Sequence, residues 1–204
     1  MSAPEQLASN WEKTCTATTA EQTHAFGARL AELLQAGDLV VLSGELGAGK
    51  TTFTQGLGEG LGVRAGIISP TFVLVRIHPN LPDGPRPGGP DLVHVDAYRL
   101  GSAAEIDDID LENTMDSSVT VVEWGHERVE HLSDSRLEID LHRAIGLGAT
   151  GEYRGSLDFD GDDTDEPRAI VLRGYGPRWA AAPELGSTES GSTELDGPGG
   201  ETEC

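Results

Sequence analysis

The sequence predicts an α/β fold, and three observations predict it. An apolar run of strand length, DLVVLS at residues 38–43, leads into GELGAGKT at 44–51, and TTFTQGL then continues as a helix. Strand, glycine loop and helix in that order form a building unit of parallel α/β sheets. Two further apolar runs, 92–95 and 119–122, each end in a carboxylate, Asp96 and Glu123. Between the strand-like runs lie segments of helical period, the clearest at 19–34.

The elements follow in order. Residues 1–12 read as a loose leader, and 13–19 alternate weakly as a first strand. Thr19 can cap a helix, and Glu21 falls in its first turn, where the dipole favours an acid. Phe26, Leu30, Leu33 and Leu34 recur at helical spacing as core, and Gly37 ends the run. The helix after the glycine loop should end near Gly60 or Gly62. The second half of 67–77 is β-branched and alternating, hence a strand. Residues 79–90 are rich in Pro and Gly and read as a mobile surface insertion. The strand at 92–96 precedes an acidic segment, 103–115, expected as short helices burying Ile106, Ile109 and Leu111. Strands are expected at 119–124 and at 136–142, the latter turning Leu137, Ile139 and Leu141 inward. Two closing strands are expected at 153–159 and 169–172. From 180 to 204 the chain carries Gly, Ser, Thr, Pro and acids without Lys or Arg, the composition of a disordered tail. One domain, 13–179, remains.

GELGAGKT satisfies G-x-x-x-x-G-K-[ST] at every required position. Gly44, Gly47 and Gly49 permit turns that a side chain would block, so backbone N–H groups can face phosphate oxygens at a helix N-terminus. Lys50 would reach the β- and γ-phosphates, and Thr51 offers a hydroxyl to Mg²⁺. Such a loop needs a carboxylate at the C-terminal end of a neighbouring strand, a place open to both Asp96 and Glu123. His94, alternating with Val93 and Val95, reads as a packed or hydrogen-bonded histidine. Trp124, next to Glu123, stands where a partner could touch it. The guanine signature N-K-x-D is absent, which favours ATP over GTP.

Composition narrows the classes further. A formal net charge of −21 repels nucleic acid phosphate, so any work on a nucleic acid implies another subunit that holds it. Cys15 and Cys204 make neither a disulfide framework nor a metal-ligand spacing, which fits a reducing cytoplasm. No secretory signal and no membrane-spanning run is seen.

Four segments occur in fitting order: GELGAGKTTF at 44–53, SPTFVLV at 69–75, HVDAYRL at 94–100 and VEWGHER at 122–128. Together they resemble the TsaE family, bacterial ATPases needed for threonylcarbamoyladenosine at position 37 of tRNAs reading ANN codons. The likeness covers residues 13–175. It implies a mostly parallel sheet flanked by helices and closed by antiparallel strands, a weak Mg²⁺-dependent ATPase, and a partner complex of the TsaB–TsaD type. Carried over by motif, Leu46, Gly47, Ala48, Gly49, Lys50 and Thr51 would cradle the phosphates of ATP, with Thr51 and Glu123 on Mg²⁺. Asp96 would be a second essential carboxylate, and Thr52 and Trp124 match positions tied to activity. Residues 69–72 would be switch-like, and Thr19 and Ala20 would lie near the adenine. Two other readings compete. A small-molecule kinase would need an Arg-bearing lid, whereas Arg64, Arg76 and Arg99 are scattered. A non-catalytic, nucleotide-responsive adaptor differs from a weak ATPase only in turnover.

Overall fold

A computed structural model describes residues 8–70, 72–100, 102–143 and 167–185. The expected strand at 153–159 lies outside them, as do Thr71 and everything from residue 186 onward. Among the described residues are seven strands: β1 (Trp11–Ala17), β2 (Leu39–Gly44), β3 (Val75–His78), β4 (Asp91–Asp96), β5 (Ser118–Glu123), β6 (Arg136–Arg143) and β7 (Arg168–Tyr175). The α-helices are α1 (Ala20–Ala31), α2 (Lys50–Leu61), α3 (Ala103–Asp107) and α4 (Glu112–Met115).

The strands form one sheet in the order β1-β7-β6-β2-β5-β4-β3. Its centre, β6-β2-β5-β4, is parallel, and β1, β7 and β3 run antiparallel to their neighbours. This is the expected mixed sheet with antiparallel closing strands. Because the central strands are parallel, β2, β4, β5 and β6 all end at the same edge.

Alternation along β2 explains the two cores. Val40 and Leu42 face α1 and α2, packing with Phe26, Leu30, Phe53 and Leu57. Leu39 and Val41 face the other way, toward Val93, Val95, Ile106, Leu111 and Val122. Both sides of the strand are apolar, as a sheet covered on both faces requires. α1 starts at Thr19, whose side chain accepts from the Gln22 amide at 3.2 Å, as its capping role predicts. The two long helices touch backbone to backbone. A Cβ on Gly27 would collide with the Phe53 carbonyl, and one on Gly56 with that of His24.

Three expectations change. Leu33 is not core: α1 ends at Ala31 and leaves it exposed. The 79–90 segment is an anchored hub, not a mobile insertion. Asn80 donates through Nδ2 to the carbonyls of Leu61 (2.8 Å) and Arg86 (3.0 Å), and Arg86 donates to the Ala31 carbonyl at 3.0 Å. These bonds satisfy carbonyls at the ends of α1 and α2, which explains a Pro-rich link longer than a hairpin needs. Residues 180–185 are not the loose tail expected from 180 onward, since Leu185 is only 5% exposed within the core. Cys15 is buried and is not a free thiol, so it lends the expected reducing compartment no support. Among the described residues no helix is long and apolar enough to cross a membrane.

Candidate functional site

The sequence at residues 44–51 turns the chain from β2 into α2 at the edge where the parallel strands end. Gly44 (φ +141°) and Gly49 (φ +99°, the cap of α2) hold backbone angles that other residues rarely adopt. A Cβ at Gly44 would also strike the Leu141 carbonyl on β6. The loop exposes Glu45, Leu46 and Gly47 and buries Ala48. Thr51 and Thr52 are half-buried on the first turn of α2.

Lys50 is 6% exposed. Its Nζ donates to the carbonyls of Gly44 (2.8 Å) and Glu45 (3.0 Å) and lies 4.1 Å from the centroid of the Trp124 ring. Burial pushes its pKa below the usual lysine range, while the negative charges of Glu123, Asp96 and Glu45 oppose that shift. The ammonium is thus held where anionic groups converge.

Those groups are register partners. Asp96 pairs with Glu123 across β4 and β5, and Leu42 of β2 pairs with Glu123 on the other side. Both carboxylates are buried, at 3% and 2% exposure. They are held differently. Asp96 accepts from the Ser69 hydroxyl at Oδ2 (2.9 Å) and from the Tyr98 amide at Oδ1 (3.0 Å). Glu123 Oε1 lies 2.8 Å from Nε2 of His94, which is fully buried. His94 Nδ1 meets no partner among the described residues, so the tautomer that fits carries its proton on Nε2 and donates to Glu123. Glu123 Oε2 accepts no hydrogen bond among the described residues. His94 is therefore the hydrogen-bonded histidine that its alternation suggests.

Trp124 leaves β5 with a left-handed φ of +61° and meets Tyr98 edge-on at 5.5 Å. Arg128 donates to the carbonyl of Ala97 at 2.6 Å and to that of Trp124 at 3.3 Å, tying together the exits of β4 and β5. Arg99 stacks on Phe72 at 4.8 Å. Thr19 and Ala20 start α1, and the Thr19 carbonyl accepts from Thr23. A Cβ at Gly49 would stand 3.6 Å from Thr23, so this turn does approach the loop.

Sequence reasoning missed two arginines. Arg143 ends β6 and Arg168 starts β7, and both guanidinium groups lie beside the glycine loop. Neither sits in a motif, and only strand register could have exposed them. Arg64, Arg76 and Arg99, the arginines weighed for a lid, are not the ones the fold brings to the loop.

Comparison with known proteins points one way. A family model described as "Threonylcarbamoyl adenosine biosynthesis protein TsaE" matches residues 17–146. The chain is 53% identical over 157 residues to a Streptomyces coelicolor protein named "tRNA threonylcarbamoyladenosine biosynthesis protein TsaE", covering 76% of this chain and 93% of that one. A Bacillus subtilis protein of the same name is 40% identical over 125 residues, 61% of this chain and 73% of its own. Among solved structures, "Crystal structure of Bacillus subtilus YdiB" superposes with a TM-score of 0.58 at 30% identity, over 83% of this chain and 89% of that one.

Proposed function

The chain belongs to the TsaE family, and from that premise we propose that it binds ATP with Mg²⁺ and hydrolyses it weakly, in support of threonylcarbamoyladenosine formation on tRNA. One observation carries the reading: a buried lysine of a glycine loop is held near two register-paired, buried carboxylates at one edge of a parallel sheet. Amides of the loop from Leu46 to Thr51, with Lys50, would take the phosphates.

The donor set fits a hard cation, because the Thr51 hydroxyl and the Glu123 carboxylate offer oxygen alone. Bound with the nucleotide, Mg²⁺ supplies charge neutralisation on the β- and γ-phosphates. Of the two acids, Glu123 is the better metal ligand, since His94 fixes one of its oxygens and leaves Oε2 uncommitted. Asp96 spends both oxygens on Ser69 and Tyr98. Its part is to tie the 69–72 segment and the turn after β4 to the phosphate edge. A change at the γ-phosphate then reaches Phe72 and Tyr98, which face outward.

Partner binding follows from what surrounds the site. Leu46 (89% exposed), Phe72 (85%), Tyr98 (63%) and Val73 (55%) are large apolar side chains left open near this edge. A TsaB–TsaD-type complex is the proposed occupant, and tRNA is reached only through it, because 14 cations against 35 acids cannot hold a polyanion. This is work for the cytoplasm.

Phosphate release from ATP, measured with and without such a complex, tests the proposal. Stimulation by the partners and loss of docking in Trp124→Ala are expected. Tight binding to free tRNA in a gel shift, or docking indifferent to both ATP and Trp124, would sink it.

A further inference from the structure

The VEWGHER segment gives Glu123 and Trp124 to the edge described above, but its histidine meets a different set of acids. After β5 the chain turns tightly. A Cβ on Gly125 would stand 2.8 Å from the Val122 side chain, and Val129 is fully buried. This turn brings His126 and Glu130 beside Glu138 of β6. Nδ1 of His126 lies 3.9 Å from Oε1 of Glu130 and 3.9 Å from Oε2 of Glu138. One ligand atom from each of the three residues falls within 4.8 Å of the others. The 3.9 Å gaps are too long for hydrogen bonds, and two carboxylates this close repel unless a cation joins them.

Both acids are held in place from behind. Oε1 of Glu130 accepts from the Glu127 amide at 2.6 Å. Oε1 of Glu138 accepts from Nε of Arg136 at 2.7 Å, and the Tyr175 phenol also donates to that carboxylate. Arg136 in turn stacks on the Tyr175 ring at 4.1 Å. Outer hydrogen bonds of this kind orient metal-ligating carboxylates. Arg136 offsets only one of the two negative charges. The side chain of Glu138 is 7% exposed, that of Glu130 30% and that of His126 58%, so a fixed floor opens to solvent through which an ion can enter.

We propose that His126, Glu130 and Glu138 form a second cation site, one that takes a zinc-class divalent ion. An imidazole nitrogen beside two carboxylates suits Zn²⁺ better than Mg²⁺, which keeps to oxygen and to its waters. Tetrahedral ligands of zinc stand about 3.4 Å apart, so a closure of roughly half an ångström by the two more open side chains completes the set. A fourth place stays free for water. The ion joins the turn that starts at Trp124 to strand β6. This site does not rest on the ATP reading.

Calorimetry with Zn²⁺ on the full chain tests this, comparing wild type with His126→Ala, Glu130→Gln, Glu138→Gln, His131→Ala and Glu123→Gln. A saturable Zn²⁺ site is expected, and His126→Ala and Glu130→Gln should each weaken it about tenfold or more. Glu123→Gln should leave that site in place. So should His131→Ala, whose imidazole pairs with Asp107 at 2.7 Å. In thermal melts Zn²⁺ should raise the Tm of wild type and of Glu123→Gln but not that of His126→Ala. The variants at the more open His126 and Glu130 keep the test alive should Glu138→Gln fold poorly. Zn²⁺ affinity unchanged in both His126→Ala and Glu130→Gln, or lowered as much by His131→Ala, overturns the proposal, since binding is then a general property of an acidic surface. If Glu123→Gln alone abolishes binding, the ion sits at the other edge: this site fails and the Mg²⁺ reading stands.

Discussion

On one side of β2, Asp96 and Glu123 share a rung of the β4–β5 ladder, and on the other Arg143 and Arg168 share a rung of the β6–β7 ladder. Both pairs set like charges side by side at one edge of the sheet. The acidic pair is held by a serine hydroxyl, a backbone amide, a histidine and the electrostatic reach of Lys50, with only Oε2 of Glu123 left uncommitted. The basic pair leans against glycines, where no side chain intervenes between guanidinium and loop. The difference teaches that a residue close in sequence, Tyr98, helps hold the acids, whereas strand register alone carries the arginines to the loop. A buried carboxylate without donors costs several kcal/mol, so its partners must be built in.

The comparison breaks most severely at Lys50, which stands between the flanks. Lys50→Ala should abolish productive ATP binding, a loss of about 2–5 kcal/mol by calorimetry. Unaltered affinity would remove the phosphate loop from the account. Next come the two acids, which should separate. Glu123→Gln should keep the circular dichroism spectrum yet lower Mg²⁺-dependent turnover about 100-fold. Asp96→Asn should instead cost about 1–3 kcal/mol of stability in denaturant melts, because it disturbs a buried, doubly bonded group. Reversed outcomes would exchange their roles. A subtler effect belongs to His94, whose replacement by Asn should raise the Mg²⁺ concentration needed for half-maximal activity about 10–100-fold. An unchanged Mg²⁺ titration would make His94 mere packing.

The smallest effect sits behind the acidic flank. Burial holds the His78 imidazole below the usual histidine range, helped by nearby His94 and Arg76 and opposed by a hydrogen bond that the ring donates to the Arg64 backbone. As the pH falls through the ordinary histidine range, the unfolded chain takes up a proton that the folded chain refuses. Stability present above that range is therefore lost on acidification, by at most about 1.4 kcal/mol per pH unit. Thermal melts between about pH 7 and pH 5.5 should fall less steeply for His78→Asn than for wild type.

What could be read from the sequence was local. GELGAGKT, the apolar runs ending in Asp96 and Glu123, the cap at Thr19 and the alternation at His94 are patterns within a few residues, and each element appeared where expected. What escaped depends on register or on distant backbone. Arg143 and Arg168 meet only because β6 and β7 pair as they do. Asn80 anchors its loop through carbonyls at positions 61 and 86, which no pattern advertises. Leu185 packs into the core from beyond Pro183 and Glu184, and periodicity has nothing to say about a single contact.

The outermost strand β1 pairs only with β7, Trp11 lying beside Gly174. During synthesis, therefore, β1 has no sheet partner until β7, which follows every other strand of the sheet, has also been made. The glycine loop, Lys50 and both acids are translated long before Arg168. A nascent or truncated chain can then present the glycine loop and the neighbouring carboxylates while still lacking one of its flanking arginines. Completion of the sheet and completion of the basic flank are the same late event, so a chain that stops before β7 loses both together.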